Sequence, residues 1–146
     1  QAFMKASIGA GNPIPFEGSV FISVNNSDKM DIIPLARDLN EMGFSLIATT
    51  GTAKELERNG LDVEHVFKVG EGRPNVVDEI KNGHINLVIN TPMGARSRFD
   101  EEAIGCACIQ YGILAITTLS GANAILRAIR SKQKPLQLNS LQNYHA

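Results

Sequence analysis

The chain has 146 residues, with 14 Lys and Arg against 15 Asp and Glu for a formal net charge of −1, and 43% of it is hydrophobic. That is enough for one domain with a core of its own, without metal or disulfide support. With scattered basic residues and only 5% aromatics, it offers neither a cationic stripe nor a stacking platform for nucleic acid. No apolar run approaches the roughly 20 residues that span a bilayer, and the N-terminus lacks the layout of a signal peptide. The expectation is a cytoplasmic domain with neither membrane nor nucleic acid as partner.

In chain order, residues 1–15 end in a Gly/Pro cluster and are read as the end of a preceding domain plus a linker, with the domain proper at 16–146. From Gly18 onward, apolar runs of strand length alternate with stretches of helical period. This pattern predicts an α/β fold: a three-layer, doubly wound, five-stranded, mostly parallel sheet with helices on both faces. The expected strands are Val20 to Val24, Phe44 to Thr49, Val63 to Phe67, Leu87 to Asn90 and Ile113 to Thr117. Their continuous apolarity suits strands covered on both sides.

Ile32, Leu35, Ala36, Leu39 and Met42 recur at helical spacing, with Ser27 or Asp28 as N-cap and Gly43 beyond the end; Pro34 leaves the start of that helix open. Further helices are expected over Thr52 to Asn59, Pro74 to Asn82, Asp100 to Tyr111 and Gly121 to Lys132. The polar tail from Pro135 reads as irregular, with one extended segment of edge type. In such sheets ligands bind beyond the carboxyl ends of the strands, where strand order reverses.

Following each strand off that end brings polar residues together. The second runs into Thr49-Thr50-Gly51-Thr52 and a helix start, the third into Lys68 and a Gly-rich segment, the fourth into Asn90 and Thr91, and Lys29 lies just after the first. Alone, Thr-Thr-Gly-Thr serves equally as N-cap and turn. Together, a helix N-terminus, hydroxyls, an amide and lysines suit a phosphorylated, hydroxyl-rich small molecule. Cys106 and Cys108, two apart on a helix, fall on nearly opposite faces, and His65, His84 and His145 lack partners at ligand spacing, so no metal site follows. Neither a Walker loop nor a dinucleotide fingerprint is present, and no cofactor is expected in this chain.

These residues also carry a resemblance. Phe21-Ile22-Ser23-Val24 with Asp28-Lys29, Ala48-Thr49-Thr50-Gly51-Thr52-Ala53, Lys68-Val69 before Glu71-Gly72-Arg73-Pro74, Ile80-Lys81-Asn82-Gly83, Val88-Ile89-Asn90-Thr91 and Thr117-Thr118-Leu119 occur in order. Over Gly18 to Asn143 the chain resembles the C-terminal regulatory domain of the carbamoyl-phosphate synthase large chain, a module similar in fold to methylglyoxal synthase. The resemblance implies a non-catalytic domain that binds a nucleoside monophosphate, UMP or IMP, to control carbamoyl phosphate formation for pyrimidine and arginine synthesis. It places Thr49, Gly51, Thr52, Lys68, Asn90 and Thr91 at the phosphate, Lys29, Arg96 and Asp100 at other effector contacts, and Thr117 at the contact with a neighbouring domain. It further implies a parent ligase using ATP and Mg, a small glutaminase subunit as partner and self-association.

Pro92 stands where some members have a second hydroxyl residue, Ala95 where an arginine often lies, and Thr50 where histidine is common. The alternative is a stand-alone methylglyoxal synthase acting on dihydroxyacetone phosphate, which needs a carboxylate base beside the phosphate seat. In sequence, Glu71 is the only substitute for that base. A cyclohydrolase that makes IMP shares the Gly-Thr turn and this topology, but the Glu-Gly-Arg-Pro segment favours the regulator.

Overall fold

The structure, a computed structural model, describes the backbone of residues 13–92 and 98–145 and the side chains of residues 13–92 and 100–132. In chain order, β1 (Ser19–Ser23) leads through a 3-10 turn (Asn26–Asp28) into α1 (Lys29–Glu41). Then come β2 (Ser45–Ala48), α2 (Thr50–Arg58), β3 (Glu64–His65), α3 (Val76–Lys81), β4 (Leu87–Asn90), α4 (Arg98–Tyr111), β5 (Leu114–Ile116) and α5 (Leu119–His145). The strands form one sheet in the order β3-β2-β1-β4-β5, and every pairing is parallel. Strand order therefore reverses between β1 and β4, which places the crevice at their carboxyl ends.

Two cores explain the continuous apolar strands. Val20 and Ile22 of β1, Leu46 and Ala48 of β2, and Leu87 and Ile89 of β4 face α1, α2 and α5. Phe21, Ile47 and Val88, the residues between them, face α3 and α4. Successive side chains of a strand point to opposite faces, and here both faces are dry, so the three central strands are apolar at every position over Val20–Ile22, Leu46–Ala48 and Leu87–Ile89. Gly18 immediately precedes β1 with φ +115°, and a Cβ there would lie 2.1 Å from Asn86 Oδ1, which accepts the Ser19 N–H at 2.8 Å. Glycine is thus required both by conformation and by the close approach of Asn86.

Three local expectations need correction, and the start of the first helix, left open by Pro34, is fixed. The third strand shortens to two residues, because on the sheet edge only Glu64 and His65 pair with β2, while Phe67 turns away and bridges to Asn75. The third helix starts at Val76 rather than Pro74: Asn75 caps it, its Oδ1 accepting the Val77 and Asp78 N–H groups while Asp78 accepts from Asn75 N–H. That reciprocal box defines the start more strongly than proline does. Pro34 lies inside α1, which begins at Lys29. It is exposed and follows Met30, 81% exposed, so water can take the carbonyl that loses its N–H partner. The tail is not extended, since α5 continues through Pro135 to His145, as its Gln, Leu and Lys favour.

Asp28 is the N-cap of α1 but makes no side-chain cap bond; Asn25 caps the preceding 3-10 turn instead. Cys106 is exposed and Cys108 buried, as their spacing implies. Burial pushes the Cys108 thiol up to about 12, which keeps it protonated and inert at neutral pH. Among the described residues no helix is long and apolar enough to cross a membrane, and no cluster of three or more His, Cys, Asp or Glu could hold a metal.

Candidate functional site

Period-two geometry aims three polar side chains at one place. Ser23 and Asn90, the last residues of β1 and β4, and Thr49, just past β2, continue the parity of Phe21, Val88 and Ile47, and so they point toward the α3–α4 side. Ser23 is registered with Asn90. All three are buried, at 6%, 4% and 9% exposure. They line a small cleft of about 30 Å³, open to solvent, whose floor is Phe21, Val76 and Ile104 and whose rim carries Lys68, Asp100 and Glu101. A polar end on an apolar floor is the usual make-up of a small-molecule site.

A second group of donors adjoins it. Thr49 is the N-cap of α2 and makes no side-chain cap bond, so its hydroxyl satisfies none of the first N–H groups of the helix. Lys29 Nζ donates to Asn26 Oδ1 at 2.8 Å and would lie 3.5 Å from a Cβ at Gly51. An ammonium group therefore sits beside the start of a nine-residue helix, where backbone dipoles and cationic charge both favour an anion.

Of the residues proposed from sequence, Thr49, Lys68, Asn90 and Asp100 share the cleft, and Lys29 and Gly51 adjoin it through the start of α2. Thr52 and Thr91 are buried and do not line it. Their hydroxyls accept backbone N–H groups, Thr52 Oγ1 from Val24 at 3.4 Å and Thr91 Oγ1 from Asn25 at 3.0 Å, which fixes the chain leaving β1. Thr117 is exposed at the end of β5, away from the cleft lining. Arg96 and Ala95 lie outside the described residues.

Sequence reasoning missed Ser23 and Glu101. Ser23 is the only polar residue in its strand run and shares the parity of Thr49 and Asn90, a signal hidden while both faces read as apolar. Glu71 is not the sole carboxylate within reach of the cleft: its Oε1 accepts the Lys68 N–H at 3.1 Å, whereas Asp100 and Glu101 stand on the rim. Burial raises the Asp100 carboxyl above its ordinary value; the charge of Lys68 opposes this, and those of Glu71 and Glu101 add to it. The cleft thus joins one lysine to carboxylates, one of them biased toward its neutral form.

This is an open α/β domain with a polar, anion-compatible cleft at its topological switch point. Comparison with known proteins places it further. A family model for the MGS-like domain matches residues 31–117, more than half of the chain, and the chain belongs to that family.

It is also 44% identical over 99% of its length to the carbamoyl phosphate synthase large chain of Archaeoglobus fulgidus and 46% identical over all of it to that of Acidobacterium capsulatum. It is 43% identical over 99% of its length to the large chain, C-terminal section, of Aquifex aeolicus. The chain spans 14%, 13% and 28% of those three proteins. A solved methylglyoxal synthase from Elizabethkingia anophelis superposes with a TM-score of 0.63 at 19% identity, covering 77% of this chain and 79% of that one. That likeness is one of fold.

Proposed function

We propose that this domain is the effector-binding, regulatory part of a carbamoyl-phosphate synthase large chain, and that its ligand is a nucleoside monophosphate, UMP or IMP. The observation that carries the reading is the convergence of Thr49, Lys68 and Asn90 in one cleft beside the Lys29-flanked start of α2. A phosphate brings roughly two negative charges to this place. In this reading Thr49, Lys68, Asn90 and the Gly51 backbone hold the phosphate, Thr52 and Thr91 shape its seat, and Lys29, Arg96 and Asp100 complete the contacts. Asp100, aided when protonated, serves the ribose or base end.

The domain performs no chemistry of its own. Its parent is an ATP- and Mg-dependent ligase with a glutaminase small subunit, placed in the cytoplasm and feeding pyrimidine and arginine synthesis. The effector acts by differential binding: its bound and free forms present different loops to the rest of the large chain, with Thr117 at that contact, and the difference in free energy shifts catalysis.

One observation favours a second reading. Asp100, a carboxylate biased toward protonation, faces the cleft together with Lys68, as an enzyme eliminating phosphate from dihydroxyacetone phosphate would require. Calorimetric titration with UMP, IMP and dihydroxyacetone phosphate, with an assay for methylglyoxal, separates the two. Saturable heat from a nucleotide and no turnover is expected. Turnover of the triose phosphate would transfer the site to the enzyme, and silence with both nucleotides would contradict the effector reading.

A further inference from the structure

Asn25, the second residue after β1, joins the two loops that flank the cleft. Its backbone N–H donates to Thr91 Oγ1 at 3.0 Å and its Nδ2 donates to the Pro92 carbonyl at 2.9 Å. Its Oδ1 accepts from Ser27 Oγ at 2.8 Å and from the Asp28 N–H at 3.0 Å. The Asp28 N–H can be met only by an oxygen, which fixes the orientation of the amide and aims its nitrogen at Pro92. Pro92 has no N–H, so its carbonyl is its only backbone handle.

The other end of Asn25 organises the 3-10 turn that leads into Lys29, whose Nζ is tied to Asn26 and lies beside Gly51. A line of polar contacts thus runs from Lys29, which sits beside the start of α2, through its turn to the loop leaving β4.

We propose that Asn25 is a positioning residue that couples the anion side of the cleft to the loop after β4, so that a phosphorylated ligand held at the start of α2 is registered at Thr91 and Pro92. The proposal rests on the effector reading above. Asn25→Ser keeps a short oxygen acceptor for the 3-10 turn and loses the donor to Pro92. Asn25→Asp keeps the acceptor, loses the same donor and adds a charge.

The 146-residue chain and both variants are titrated with UMP and IMP, and amide exchange is followed at Asn25, Gly51, Thr52 and Thr91 with and without nucleotide. Both variants are expected to bind about fivefold more weakly, the value of one ordinary hydrogen bond. In the wild type, nucleotide slows exchange at Gly51, Thr52 and Thr91; in Asn25→Ser it still slows the first two and no longer Thr91. A purely structural role would not divide the response in this way.

Wild-type affinity and wild-type protection of Thr91 in Asn25→Ser would overturn the proposal, as would weakening confined to Asn25→Asp, which is a charge effect. If the wild type binds neither nucleotide, the effector reading fails separately. The coupling is then decided without ligand: faster exchange at Thr91 in Asn25→Ser supports it, and unchanged exchange overturns it.

Discussion

Asp100 shows how one side chain connects folding, ligand and pH. Burial raises its carboxyl above the ordinary 3.8, against the pull of Lys68 and with help from Glu71 and Glu101. The folded chain therefore keeps a proton there that the unfolded chain has released. This contribution to stability is complete below the unfolded value and is lost as pH rises through the raised one.

Above that range the ionised carboxylate adds negative charge to the cleft. Asp100→Asn is expected to remove this slope from the pH dependence of stability, and to tighten monophosphate binding at neutral pH by about threefold, the size of a partly exposed charge interaction. Denaturant titrations across pH and calorimetry at pH 7 check both. An unchanged pH slope would show that Asp100 titrates alike in both states.

At the scale of elements, the parallel sheet, its five strands and the place of the cleft were legible, because apolar runs bounded by glycines mark strands and their carboxyl ends mark the site. What was hidden follows from competing local forces. Edge position cut β3 to Glu64 and His65. The α3 start was misplaced because Pro74 is a conspicuous helix opener, while the Asn75–Asp78 box that sets the boundary depends on side-chain geometry.

The parity that unites Ser23, Thr49 and Asn90 was masked by two dry faces. The lining of the cleft was only partly legible for a similar reason: Thr52 and Thr91 share the composition of Thr49, yet they do not line the cleft and their oxygens accept the Val24 and Asn25 N–H groups. Asn75→Ala removes the acceptor of two N–H groups at the start of α3, whose Val76 lines the cleft floor. Thermal or urea unfolding should show a loss of about 1 kcal/mol. A loss below a few tenths would mean that the packing of Val76 and Ile80 alone holds the helix.

At the scale of the molecule, one arrangement builds both the core and the cleft. The sheet reverses its strand order between β1 and β4, two cores hold it from either side, and the polar ends of β1, β2 and β4 open on the α3–α4 side. The chain belongs to the MGS-like family, and the large-chain relatives it resembles carry the matching segment within longer chains. The central claim is that it is a phosphate seat for a nucleotide. Lys68→Ala tests this most directly, by calorimetry with UMP and IMP against uridine and inosine. The account predicts that the variant loses most of its affinity for the monophosphates, at least tenfold, and little for the nucleosides. Equal loss for both, or none for either, would contradict it.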